Sequence, residues 1–328
     1  MTTPSGVRPS AFVGRSRHVG FGGAMHNRNY QMSGRTKKEQ WIRKAVAITD
    51  ALTTNGGGRY LCPLCLHWFA DLDELSLEHA PPESLGGRHI AITCRGCNST
   101  AGHTVDAELR LAETIREFGL RRMTKPMPAT FRFAGIEQRV EALFDPDGLS
   151  IVGVSKQNHP DTASAMTAAF DEVVAERSTN VVFKLSFRTP DFRKASIGWL
   201  RAAYLVAFAT LGYRYILREE LEEVRQQIRD PAAEILKRYC VITQKGPADR
   251  CITFVSEPLE LKSVIVFVNP YAVFLPSDES AGTYERLGAL DPWPPASLTL
   301  SGATAPWPTR PGYALDRAAV DGASPDPE

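Results

Sequence analysis

"LCPLCLHWFADLDELSLEHAPPESLGGRHIAITCRGCNSTAG", residues 61–102, holds a Cys-x2-Cys pair near each end and a glutamate–histidine step between them. Each pair is a knuckle that presents two thiolates to one ion. Cys62, Cys65, Cys94 and Cys97 together fill the four positions of a tetrahedral zinc site. A lone Cys-x2-Cys reads equally well as a redox pair. Two of them around a short, turn-rich stretch, in a chain with no export signal in its first residues, favour metal over disulfides. Four cysteine ligands leave no open coordination position, so this Zn2+ is expected to be structural. The 28 residues between the knuckles (66–93) exceed the roughly fifteen to twenty of a simple zinc ribbon, so something is inserted there. The insert contains Glu78-His79, followed by Pro81-Pro82 and Gly86-Gly87.

The rest of the composition excludes several classes. With 328 residues, 43% hydrophobic and 23% charged, the chain reads as globular and long enough for two domains. Its longest uncharged apolar run, residues 202–213, is shorter than the ~20 residues of a membrane span and is closed by Arg201 and Arg214. A soluble, intracellular (cytoplasmic) protein without a membrane partner is therefore expected. The net charge of +1 conceals an asymmetry. Residues 1–45 carry nine Lys/Arg against the single acid Glu39, whereas residues 277–328 carry eight acids against three arginines. A basic front end points to a polyanion partner.

Residues 59–110 resemble the HNH nuclease family, in its subgroup stapled by two Cys-x2-Cys knuckles. The matching pieces are "CPLC", "LEHAPPESLGG" and "TCRGCNSTAG". The resemblance implies a ββα-metal fold and cleavage of phosphodiester bonds, usually in DNA, with a divalent cation. The implied cation is Mg2+, or alternatively Mn2+. The residue types fit that chemistry on their own account. A histidine titrating near neutrality suits a general base, and a carboxylate with an amide oxygen suits Mg2+. His79 is the expected base. Glu78 and Asn98 are the expected cation ligands, with His103 a weaker third. Asn98 directly follows the zinc ligand Cys97, so the structural metal would fix a ligand of the catalytic one.

Two features depart from the family. His89 stands where an asparagine five residues before the second knuckle is usual; it would brace the loop and help orient His79, or else be an exposed loop residue. Ala101 stands where many members carry a lysine. A further difficulty is geometric: neighbours on a regular strand point to opposite faces, so Glu78 and His79 share a cleft only if the strand ends or twists there.

The fold class expected is α+β: a small zinc-stapled ββα-metal nuclease module, then a larger α+β domain, with disordered tails at both ends. Residues 1–33 form the basic arm and 34–120 the nuclease module. Residues 128–290 form an α+β domain whose role the sequence does not give, target or partner selection (a protein partner or self-association) being the expected use, and 291–328 form a Pro-rich tail. Within the module, Thr36–Glu39 has capping-box spacing before a helix, and Leu109, Ala112, Ile115 and Phe118 form a second helical stripe. Strands are expected at 129–135, 139–144, 149–155, 180–187, 251–256, 261–268 and 271–276, and helices at 161–177 and 191–228.

The remaining candidates are weaker. Arg121, Arg122 and Lys125 could contact phosphates or simply be solvated. His18, His26, His67 and His159 read as surface residues, and Cys240 and Cys251 as buried thiols. Two functional classes stay open beside the nuclease: a zinc-stapled module that holds nucleic acid without cutting it, and a regulatory protein led by its second half.

Overall fold

The computed structural model describes residues 34–312, apart from 54, 176–181, 244–246, 248, 269, 278–281 and 292–297. The basic arm with His18 and His26, and the last sixteen residues, lie outside the described part.

Helix α1 (Gly34–Leu52) leads to a small hairpin of β1 (Tyr60–Leu61) and β2 (Trp68–Phe69). A second hairpin follows, β3 (Leu75–Ala80) antiparallel to β4 (Arg88–Cys94), then α2 (Arg95–His103) and α3 (Val105–Gly119). The insert between the knuckles is thus the β3–β4 hairpin, and α2 starts on the second knuckle. The Cys94 thiol caps that helix by accepting from the Cys97 N–H.

The chain then leaves this body and builds a four-stranded antiparallel sheet from β5 (Met127–Phe133), β6 (Ile136–Asp145), β7 (Gly148–Gly153) and β8 (Lys184–Ser186), in the order β7-β6-β5-β8. Buried and exposed residues alternate along β5, as a half-buried strand requires. The turn at 145–148 is tied by Asp145 Oδ1, which accepts from the N–H groups of Asp147 and Gly148. Helix α4 (Pro160–Ala175) packs over Phe131, Phe133, Val140 and Ala142, which gives this sheet a core of its own.

After residue 187 the chain returns. Helix α5 (Phe192–Leu211) is capped by Asp191, whose side chain accepts from the Lys194 N–H, and stops at Gly212 with φ 74°. Short α6 (Tyr213–Ile216) and α7 (Glu222–Arg229) follow, so the long helical region expected at 191–228 is broken twice. Strands β9 (Cys240–Ile242), β10 (Cys251–Glu257), β11 (Ser263–Phe267) and β12 (Tyr271–Pro276), helix α8 (Thr283–Ala289) and strand β13 (Ser301–Pro306) complete the fold. The five strands pair antiparallel in the order β13-β10-β11-β12-β9.

Two sequence expectations need correction here. The expected Pro-rich tail is not uniformly irregular: residues 301–306 are an edge strand paired with β10, and Gly312 lies against Trp41 of α1. The prolines flank this strand or end it, where no ladder N–H is required. The boundary placed at 120–128 does mark where the chain leaves the first core. However, α5 comes back into that same core: Leu200, Tyr204 and Leu205 are fully buried in one cluster with Tyr60, Leu75, Ile90 and Leu109. Its apolar run is the centrepiece of the zinc module rather than of a second domain. Among the described residues, no helix is long and apolar enough to cross a membrane.

Candidate functional site

The four knuckle cysteines converge. Their sulfurs all lie within 4.8 Å of one another, and Cys65 and Cys94 Sγ stand 3.9 Å apart without a disulfide. Four Zn–S bonds of about 2.3 Å in a tetrahedron put the sulfurs roughly 3.8 Å apart, so the quartet fits zinc. Backbone amides support it: Cys94 N donates to Cys62 Sγ at 3.3 Å and Cys97 N to Cys94 Sγ at 3.4 Å. Hydrogen bonds among the sulfurs, the Cys62–Cys65 one largest, push the Cys62 thiol up and pull Cys65 down to about 2. Four thiols this close share protons until a cation replaces them, so metal uptake releases protons.

The C-terminal half holds the knuckles in place. Tyr204 Oη donates to Pro63 O at 2.7 Å and Tyr213 Oη to Leu61 O at 2.6 Å, while Tyr60 Oη donates to Ile92 O at 2.7 Å. All three phenols are buried, so each bond satisfies a carbonyl that has no access to water.

On the β3–β4 hairpin the register shifts between Glu78 and His79: Glu78 faces Ala91, His79 faces His89, and Ile90 is the extra residue. Such a bulge re-aims side chains and breaks strict alternation. It brings the two imidazoles into contact, with ring centroids 3.7 Å apart and planes tilted by 36°. His79 is half-buried and His89 exposed. Burial first, then the neighbouring His79 ring, lowers the His89 pKa below the usual imidazole value. The shift favours the neutral ring of His89, which lessens charge repulsion across the contact.

Glu78 goes elsewhere. It is 3% exposed, and its Oε2 lies 2.8 Å from Arg201 Nη2 and accepts from Thr93 Oγ1 at 3.1 Å. Arg201, on α5 and 1% exposed, also reaches Asp106 Oδ2 of α3 at 3.1 Å. Burial pushes the Asp106 carboxyl up to about 6 against the opposing pull of Arg201. Glu78, expected as a cation ligand, thus has one oxygen already engaged by a buried arginine. One oxygen is committed inside a buried Glu78–Arg201–Asp106 triad, leaving Oε1.

Asn98 sits in the first turn of α2 and donates from Nδ2 to Ser76 Oγ of β3 at 2.9 Å, which leaves its amide oxygen without a hydrogen bond among the described residues. His103 is exposed at the last residue of the same helix. Five residues at 3.6 per turn put it roughly 140° around the axis from Asn98. His67 is exposed, and exposed His159 accepts from the Asp161 N–H. Cys240 and Cys251 are partly buried and join no metal-ligand cluster among the described residues.

Sequence reading took Arg201 only as the end of an apolar run and assigned no role to Asp106 or Thr93. The available signal was Arg201 itself: an arginine in the apolar stretch "IGWLRAAYLVAF" must find buried acids if that helix is enclosed.

Residues 62–112 match a protein-family model described as HNH endonuclease. No curated protein and no solved structure matches the chain. The matched stretch runs from the first knuckle cysteine through the hairpin and α2 into α3, so the similarity to HNH endonucleases covers the whole knuckled segment.

Proposed function

We propose that the chain is a metal-dependent endonuclease that hydrolyses phosphodiester bonds in DNA, with residues 62–112 as its catalytic centre. The observation that carries this reading is the His79–His89 pair at the turn end of a hairpin whose other end carries the cysteine quartet. His79 takes the proton of the attacking water at a ring nitrogen. His89, in tilted contact beside it, restrains the plane of that ring and leaves His79 as the group that takes the proton. Asn98 Oδ1 and the remaining oxygen of Glu78 would hold the divalent cation, Mg2+ or Mn2+. When bound, such a cation neutralises charge on the phosphate and on the leaving oxygen. The Ser76 hydroxyl keeps the Asn98 amide turned so that its carbonyl oxygen remains available.

Purified zinc-loaded protein incubated with plasmid DNA and Mg2+, beside a His79→Ala control, tests the reading. Cleavage by the wild type alone supports it; equal cleavage by both removes His79 from the mechanism. A second reading draws on the commitment of Glu78 to Arg201, which withdraws charge from a cation site: a zinc-stapled module that holds nucleic acid without cutting it. Binding without cleavage under every divalent cation would select that alternative.

A further inference from the structure

A cleft of about 510 Å3 lies beside the histidine hairpin and is lined mostly by residues beyond the 62–112 match. Ser84 and Leu85 form one wall, and they belong to the loop that carries the chain from His79 to His89. The opposite wall is α3 and the link after it, and Arg250, just before β10, closes one side. Arg250 donates to the carbonyls of Leu85 and Gly86 at 2.6 and 3.0 Å, so it clamps the loop between the two histidines.

Five cations line the cleft (Arg110, Arg116, Arg122, Lys125, Arg250) against two acids, Glu113 and Glu117. Arg116 already pairs with both acids, at 2.8 and 2.7 Å. The remaining four cations against the one uncompensated acid leave a net charge of +3. Arg122 and Lys125 are exposed and have no side-chain hydrogen bond or ion pair among the described residues. The volume would suit a small ligand, but small-molecule pockets are mostly apolar with a few polar groups. A groove with this charge excess and uncommitted lysine and arginine heads matches a run of backbone phosphates.

We infer that this cleft is the track along which the nucleic-acid strand approaches the His79–His89 edge, with Arg122 and Lys125 as its phosphate contacts and Arg250 coupling the track to the histidine loop. The inference rests on the nuclease reading above and extends it to residues that the family motif does not contain. The track supplies affinity that is independent of sequence, because phosphate contacts position a strand without reading its bases.

The test uses the full chain carrying His79→Ala, so that bound DNA stays intact, and measures fluorescence anisotropy with a 20-base-pair duplex over a salt series. Arg122→Gln/Lys125→Gln is compared with Lys156→Gln/Lys184→Gln, which removes the same charge from exposed positions in the turn after β7 and on β8. Zinc content and melting temperature check that each variant is folded. The groove variant is expected to bind about ten- to a hundredfold more weakly, with a salt slope shallower by about two, roughly one per lost phosphate contact. The control is expected to change less than about threefold. Equal behaviour of the two variants, with the parent protein still binding, overturns the track and leaves the nuclease reading standing. Tight binding of an acidic peptide of matched charge, lost in the groove variant while DNA binding persists, also overturns it. Should the wild type neither bind nor cut nucleic acid, the nuclease reading falls and the track falls with it.

Discussion

Glu78 and His79 are neighbours in the chain, yet they belong to two regions with opposite physics. Glu78 enters a triad with Arg201 and Asp106 in which every member is buried. His79 joins His89 at a partly open edge, held by ring contact rather than by a net of charges. The bulge between them separates these fates. The difference teaches that an acid–histidine step is not a single functional unit here. One oxygen of the acid ties the hairpin to a helix of the C-terminal half, whereas the histidine meets its neighbouring imidazole at the half-buried edge. Beneath both lies the cysteine quartet, so a change in the zinc should destroy both regions, a change in the triad should cost stability, and a change in the imidazole pair should cost rate.

The largest effect is expected from the quartet. Cys62→Ser, or zinc removal by a strong chelator, should unfold the body around residues 59–119. Tyr60, Leu61 and the carbonyls that accept from Tyr204 and Tyr213 lose their template together. Zinc content and circular dichroism measure this; a variant that melts like the wild type without bound metal would show that the core alone carries the module.

Next come the two regions compared directly. Arg201→Met leaves two carboxylates buried without their cation and should destabilise by about 3–5 kcal/mol in chemical denaturation. The double variant Arg201→Met/Asp106→Leu should recover part of that, because partners in one network are not additive. His79→Ala, by contrast, should leave denaturation unchanged within roughly 0.5 kcal/mol and lower the cleavage rate by about two to four orders of magnitude. Equal stability losses for Arg201→Met and His79→Ala would erase the distinction between the two regions.

How much of this was legible in the sequence depends on the range of the interaction. The convergence of the four cysteines could be read from spacing because a knuckle is built by four consecutive residues. Strands β5, β6, β7, β10, β11 and β12 could be read because alternation and turn residues are local. The destination of Glu78 could not, since its partner lies on a helix far downstream and nothing near residue 78 indicates it. The same holds for β13: six residues, "SGATAP", of modest strand propensity become a strand because β10 offers an unpaired edge. The His79–His89 contact depended on a bulge at Ile90, which no residue pattern announced.

A smaller effect follows from the titration of Asp106. Its folded pKa of about 6 lies above the unfolded value of 3.8, so the folded state binds the extra proton between those limits. Stability from this group is therefore fully present below about pH 4 and lost as pH rises through 6, on the order of 2–3 kcal/mol across the window. Comparison of wild type with Asp106→Asn should show the wild type's relative stability falling between pH 4 and 6. A rising difference would mean that the attraction of Arg201 outweighs burial in the triad.

The smallest effect sharpens the comparison at the cation. Asn98 and His103 lie on one helix but roughly 140° apart, so they do not serve the same ion together. Asn98 is anchored: its Nδ2 is held by Ser76, a β3 residue two positions from Glu78, and its amide oxygen is available. His103 is exposed at the helix end, and an imidazole favours softer metals than Mg2+. Asn98→Ala should therefore raise the Mg2+ concentration for half-maximal cleavage about tenfold or more, with little change in zinc content. His103→Ala should shift it less than about twofold. Ser76→Ala supplies a readout that a direct ligand would not give: it frees the Asn98 amide to rotate, so it should raise the Mg2+ requirement by a few-fold while leaving every ligand atom in place. A metal titration in which His103→Ala has the larger effect, and Ser76→Ala none, would move the cation to the far side of α2 and leave Asn98 as a hairpin tie alone.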